Sequence, residues 1–147
     1  MTELADFAAL VAGEHGLAVV STLRADGTVH SSVVNAGVLD HPLTGRPVVG
    51  LVARGSARKL ANLRARPHAT VVLRVGWQWA AVDGSVELIG PDDPVAGFDP
   101  GDLPGLLRAV FAAAGGVHED WNAYDAVMAA ERRAAVLVTP RRVYSNA

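Results

Sequence analysis

The sequence predicts a mainly β fold with flanking helices (α+β), its strands closing, or nearly closing, into a barrel. Three observations carry this. Roughly six or seven β-branched, apolar runs recur along the 147 residues, with few helical segments between them. Several of these runs are apolar at nearly every position, so their strands are covered on both faces. A central Asp26-Gly27 between two such runs is a strong hairpin signal. The length suits one domain, residues 1–147, with a substantial core.

The elements follow in order. Residues 4–12 (LADFAALVA) read as a short amphipathic helix. Residues 17–23 and 29–36 are strands joined by Ala25-Asp26-Gly27-Thr28, and GVLDHPLTGRP (37–47) is a loop by its glycine and proline content. Residues 48–53 (VVGLVA) form a third strand, leading directly into a helix that starts at Ser56 and is stopped by Pro67. Residues 69–75 are a fourth strand, and 77–90 a long fifth one with a bend or bulge at Asp83-Gly84. PDDPVAGFDPGD (91–102) is a loop. Helices over about 103–114 and 120–132, separated by Gly115-Gly116, precede a last strand at 134–139. RRVYSN, after Pro140, reads as a short extension of it.

Bulk properties remove several function classes. The formal net charge is −2, which argues against a general affinity for nucleic acid or acidic membranes. There is no cysteine, hence no disulfide, thiolate catalysis or cysteine–zinc site. The N-terminal MTELADFAALVAGEHG lacks a basic region followed by a long apolar stretch, and no apolar run approaches membrane-spanning length. The expected location is the cytoplasm, with no membrane partner.

One segment departs from this balance. VARGSARKLANLRARP (52–67) holds Arg54, Arg58, Lys59, Arg64 and Arg66 and no acid, and Lys59 is the chain's single lysine. On a helix from Ser56, Ala57, Leu60, Ala61 and Leu63 share one side; Lys59, Asn62 and Arg66 share the other. A solvated cationic face is the plain explanation. Against it, Arg58 and Lys59 stand at the positive end of the helix dipole, where each costs about 0.3–1 kcal/mol unless an anion offsets it. Free backbone N–H groups, the Ser56 hydroxyl, Arg54, Arg58 and Lys59 would converge on a phosphate. Neither a Gly-Lys-Ser/Thr P-loop nor a G-x-G-x-x-G turn occurs. A nucleic-acid backbone is the rival ligand, but the other arginines are scattered and opposed by Asp92, Asp93, Asp99 and Asp102.

Trp77 and Trp79 stand two apart on a strand, so both point to one face with Ala81. Such indoles serve a core, a subunit interface or the wall of a planar ligand. The histidines at 15, 30, 41, 68 and 118 show no metal-binding spacing, and no metal is expected. His118-Glu119-Asp120 reads as a helix start with Asp120 near the N-cap. No G-x-S-x-G elbow or catalytic triad is visible, so no catalytic side chain is assigned and a bound cofactor would supply the chemistry.

Three phrases then carry a resemblance: the hairpin STLRADGTVHSSVV, the strand–helix VVGLVARGSARKLANLRARP and the strand GWQWAAVDGSVELIGPDD. Together they resemble the pyridoxamine 5'-phosphate oxidase-like, FMN-binding split-barrel proteins. The tail GGVHEDWNAYDAVMAAERRAAVLVTPRRVYSN is similar to the actinobacterial branch that uses the deazaflavin coenzyme F420. The resemblance spans almost the whole chain. It implies a split β-barrel homodimer with two cofactor sites at the subunit interface. The cofactor phosphate would lie against Ser56, Arg58 and Lys59, with Ser32, Val34, Asn35, Val52 and Ala53 flanking the ring and ribityl chain. Trp77 and Trp79 would approach from the neighbouring subunit.

The implied function is an F420-dependent oxidoreductase passing hydride to a small conjugated organic substrate, with His30 or solvent as the proton source. The alternatives are an FMN-binding oxidase or reductase and a non-catalytic cofactor- or haem-binding protein. The chain ends TPRRVYSNA rather than in the arginine- and tryptophan-rich substrate motif of the pyridoxamine-phosphate oxidases, so vitamin B6 oxidation is not assigned. Gly55-Ser-Ala-Arg-Lys59 is also one residue longer than the commoner G-S-R-K form.

Overall fold

Asp26 and Gly27 turn the chain as expected. The Asp26 carboxylate accepts from the backbone N–H and hydroxyl of Thr28 (3.0 and 2.6 Å), and Gly27 takes a φ of +83°. In the computed structural model, which describes all residues Met1–Ala147, this hairpin joins β1 (Leu17–Leu23) to β2 (Val29–Asp40). The chain continues through β3 (Pro47–Ala53), β4 (His68–Val75), β5 (Gln78–Ile89) and β6 (Ala134–Ser145). All pairings are antiparallel, and the order β1-β2-β3-β6-β5-β4 closes on itself because β4 pairs back onto β1. Four helices flank the barrel: α1 (Leu4–Val11), α2 (Arg58–Ala65), α3 (Leu103–Ala113) and α4 (Trp121–Ala130).

Two apolar cores explain why some strands alternate and others do not. Val20, Leu51, Leu73, Val82 and Val136 fill the barrel, with Phe7 of α1 and Leu60 and Leu63 of α2 packed against them. Val48, Leu137 and Ile89 face the other way and pack against Leu106, Leu107 and Val110 of α3 and Tyr124 of α4. Strand β3 and the first half of β6 (residues 134–138) are thus buried on both faces, as their continuous apolar sequence requires. Strand β1 alternates strictly, with Leu17, Val19 and Leu23 on its exposed side.

Four expectations need correction. The segment 37–47 is not wholly loop: β2 runs to Asp40 and pairs with β3 as far as Pro47, leaving a turn over 41–46. The cause is Gly37, where a Cβ would run into the Ala113 carbonyl; the glycine serves close approach of α3 rather than a turn. The RRVYSN tail is not a short extension, since β6 continues through Pro140 to Ser145. A register shift at Asp83/Gly84 leaves Arg141 outside the pairing and admits the proline. Third, α2 begins at Arg58 with Ala57 as its N-cap, so Ser56 lies just outside it and caps nothing. Finally, Asn62 is buried and Ala61 exposed on α2, the reverse of the expected faces, because Asn62 Nδ2 donates to the buried Thr22 hydroxyl of β1 (3.1 Å).

Candidate functional site

Strand β3 ends at Ala53, and Arg54 to Ala57 carry the chain around the barrel rim into α2. Opposite this rim, α3 and α4 form a helical wall. Arg108 of α3 makes a paired contact to Asp125 of α4 (Nε–Oδ1 3.0 Å, Nη2–Oδ2 2.5 Å) and lies 5.4 Å over the Trp121 ring. Phe111, His118, Trp121 and Tyr124 pack edge-on and tilted against one another. Asp120 caps α4 as the sequence suggested, accepting from the Ala123 N–H.

Between rim and wall lies an open cavity of about 580 Å³. One side is apolar, built from Val34, Val52, Val110, Phe111 and Met128. The other carries Arg54, Ser56, Lys59 and Arg133. Its size and its mix of apolar wall and few convergent polar groups suit a small-molecule or cofactor site.

The charges are unequally committed. Arg54 Nη2 is paired with Glu131 Oε2 at 2.8 Å, and Arg133 Nη2 reaches Glu131 Oε1 at 3.3 Å. The Arg133 Nε–H is buried and has no acceptor. Lys59 has no carboxylate partner at all, and burial, then the neighbouring Arg133, holds its pKa below the ordinary lysine value. A buried orphan donor beside an unpaired ammonium is costly without an anion between them. The donor set therefore fits a phosphate, and the apolar wall fits a planar ring. The Tyr124 hydroxyl donates to the Leu107 carbonyl (3.1 Å), and burial raises its pKa.

Of the residues singled out in the sequence, Val34, Asn35, Val52, Ala53, Arg54, Ser56 and Lys59 line this cavity together. Arg58, at the first position of α2, is exposed and outside it. Ser32 lies two residues down β2 from Val34 and also outside, its buried hydroxyl without a partner. Trp77 precedes β5 and is 92 % exposed; Trp79 packs edge-on against Tyr144, and neither borders the cavity of its own chain. His30 likewise stands elsewhere on β2.

Arg133, Phe111, Tyr124 and Met128 also line the cavity, and no individual role for them follows from the sequence. A signal was present: Tyr124 and Met128 are four apart on α4, hence on one face, and the Arg132-Arg133 pair follows directly.

No family model and no curated protein sequence matches the chain. Solved structures do. A conserved hypothetical protein from Mycobacterium tuberculosis superimposes with a TM-score of 0.67 at 18% identity, covering 99% of this chain and 84% of the other. An F420 reductase gives 0.63 at 17% identity, with 94% and 95% covered. A pyridoxamine 5'-phosphate oxidase-related, FMN binding protein from Nostoc punctiforme gives 0.62 at 13% identity, with 97% and 79% covered. The fold is a split β-barrel. At these identities the likeness concerns the fold, and the residues around the cavity must carry the argument about function. No helix is long and apolar enough to cross a membrane.

Proposed function

We propose that the cavity binds a flavin-type cofactor through its phosphate, and that the protein is an oxidoreductase of the FMN-binding split-barrel kind. The observation that carries this is the meeting of the unpaired Lys59 ammonium and the orphaned Arg133 Nε–H beside an apolar wall. Lys59 and Arg133 would hold the phosphate, with the Ser56 hydroxyl as a further donor. Val34, Val52, Phe111 and Met128 would flank the ring and exclude water from one face. When bound, the cofactor supplies hydride or electron transfer, and the chain's contribution is orientation of ring and substrate. The substrate class is a small conjugated molecule able to stack on the exposed ring face.

The deazaflavin coenzyme F420 is the second reading. It is favoured by the F420 reductase superposition, which spans nearly the whole of both chains, and by the tail phrase of residues 115–146. The two readings share the phosphate site and differ in the ring and in the acidic tail that F420 carries.

The site also faces a second subunit in this account. Val33 is 68 % exposed and belongs both to the cavity rim and to an apolar strip with Leu17, Val19 and Val72 on the outer sheet face. A homodimer built on that strip would close the cavity mouth and bring partner side chains, Trp77 and Trp79 among them, toward the cofactor. The deciding experiment is a parallel titration with FMN and with F420, followed by tryptophan fluorescence. Saturable quenching by FMN at the lower concentration supports the main reading, and the reverse order supports F420. Quenching by neither overturns both.

A further inference from the structure

The turn that ends α4 brings a carboxylate into the basic cluster. Arg132 takes a φ of +49°, and across this left-handed turn Arg132 pairs with Asp92 while Glu131 and Arg133 meet each other. The turn is locked to the rim loop, because the Gly55 N–H donates to the Glu131 carbonyl (3.0 Å). A Cβ at Gly55 would meet the Arg132 carbonyl at 2.7 Å, so only glycine allows this approach. Other acids nearby are spent elsewhere: Asp92 on Arg132 and Asp93 on Arg64, neither cation bordering the cavity. Glu131 differs. Both of its partners, Arg54 and Arg133, line the cavity, and it bridges them through separate oxygens.

From this geometry we infer that Glu131 is a built-in competitor for the ligand's anionic group, setting how much negative charge a ligand must bring. Resting on the phosphate-site reading above, the inference adds a selectivity residue to it. Arg54 and Arg133 share one internal carboxylate, which already occupies the Nη2 atoms of both, while Lys59 has no acid beside it. The buried Arg133 Nε–H has no acceptor within the chain, whereas its Nη2 must be won from Glu131. A dianionic phosphate monoester outcompetes the carboxylate for that guanidinium. An uncharged ring of the same shape gains nothing from the cluster.

The test compares FMN with riboflavin, which share a ring and differ in the phosphate. In Glu131→Gln, removal of one charge at contact distance should tighten FMN by about three- to ten-fold and leave riboflavin unchanged. Combining Glu131→Gln with Arg133→Gln should abolish most of that gain. A second measurement uses the unaltered chain: titration with inorganic phosphate should shift the Arg133 Nε–H resonance. A purely structural Glu131, holding the arginines in place, would instead weaken FMN binding on substitution. FMN binding that is weakened or unchanged in a folded Glu131→Gln overturns the inference and leaves the cofactor reading intact. No response of the natural chain to FMN, F420 or phosphate overturns both.

Discussion

At the scale of single residues, Lys59 carries the most information, because its environment opposes the charge it bears. Burial and Arg133 both push its pKa down, so the folded state gives up the proton before the unfolded chain does. Between Lys59's depressed pKa and the ~10.4 of an unfolded lysine, the unfolded state binds more protons, and stability contributed by this group rises with pH. Anion affinity runs the other way and is lost as pH climbs through the folded pKa. Phosphate or FMN affinity measured across the alkaline range should fall earlier than an ordinary lysine would allow. In Lys59→Arg, where the charge persists, that early fall should vanish. A second residue-scale prediction concerns Asn62. Its replacement by alanine strands the buried Thr22 hydroxyl and should cost about 1–3 kcal/mol in urea unfolding, without touching the cavity. Asn62 was misplaced from sequence because helical spacing assigns a face but cannot see that the facing strand offers a buried hydroxyl partner.

At the scale of elements, glycines decide how closely helices approach strands. Gly37 lets the end of α3 lie on β2, and a Cβ there would collide with the Ala113 backbone. Gly37→Ala should therefore destabilise the fold by about 1–3 kcal/mol and push α3 away from the rim, weakening cofactor binding in parallel. Gly27, in a left-handed turn with nothing near its Cβ position, is a different case and its role was legible from the Asp-Gly pair alone. The same residue type in GVLDHPLTGRP reads as loop because local sequence does not reveal a helix arriving from 70 or more residues away. The sequence suggests too short a β6 for a like reason. Pro140 breaks a ladder in general, and only the bulge across from Gly84 makes room for it.

At the scale of the whole molecule, barrel closure is legible because six or seven strand-like runs recur, several of them, such as β3 and the first half of β6, apolar at nearly every position. The rim half of the site is legible too, as the cation-rich helix start after β3. The helical wall is not, since Phe111, Tyr124 and Met128 come together only once α3 and α4 are folded over the rim. The strip of exposed Leu17, Val19 and Val33 with half-buried Val72 leads to a prediction at this scale. Val19→Glu, placed in the strip but outside the cavity, should convert a dimer to monomer in sedimentation velocity and weaken FMN binding with it. A natural chain that sediments as a monomer at every concentration would remove the partner subunit from the account.

Calorimetric titration of FMN into the natural chain and into Lys59→Ala tests whether Lys59 meets the proposed cofactor's phosphate. Loss of a hydrogen bond to a charged group predicts about 1.5–3 kcal/mol weaker binding in the variant, roughly a ten- to hundred-fold rise in Kd. Equal affinity in a variant that keeps its melting temperature would contradict the phosphate assignment and leave the basic start of α2 as a solvated surface.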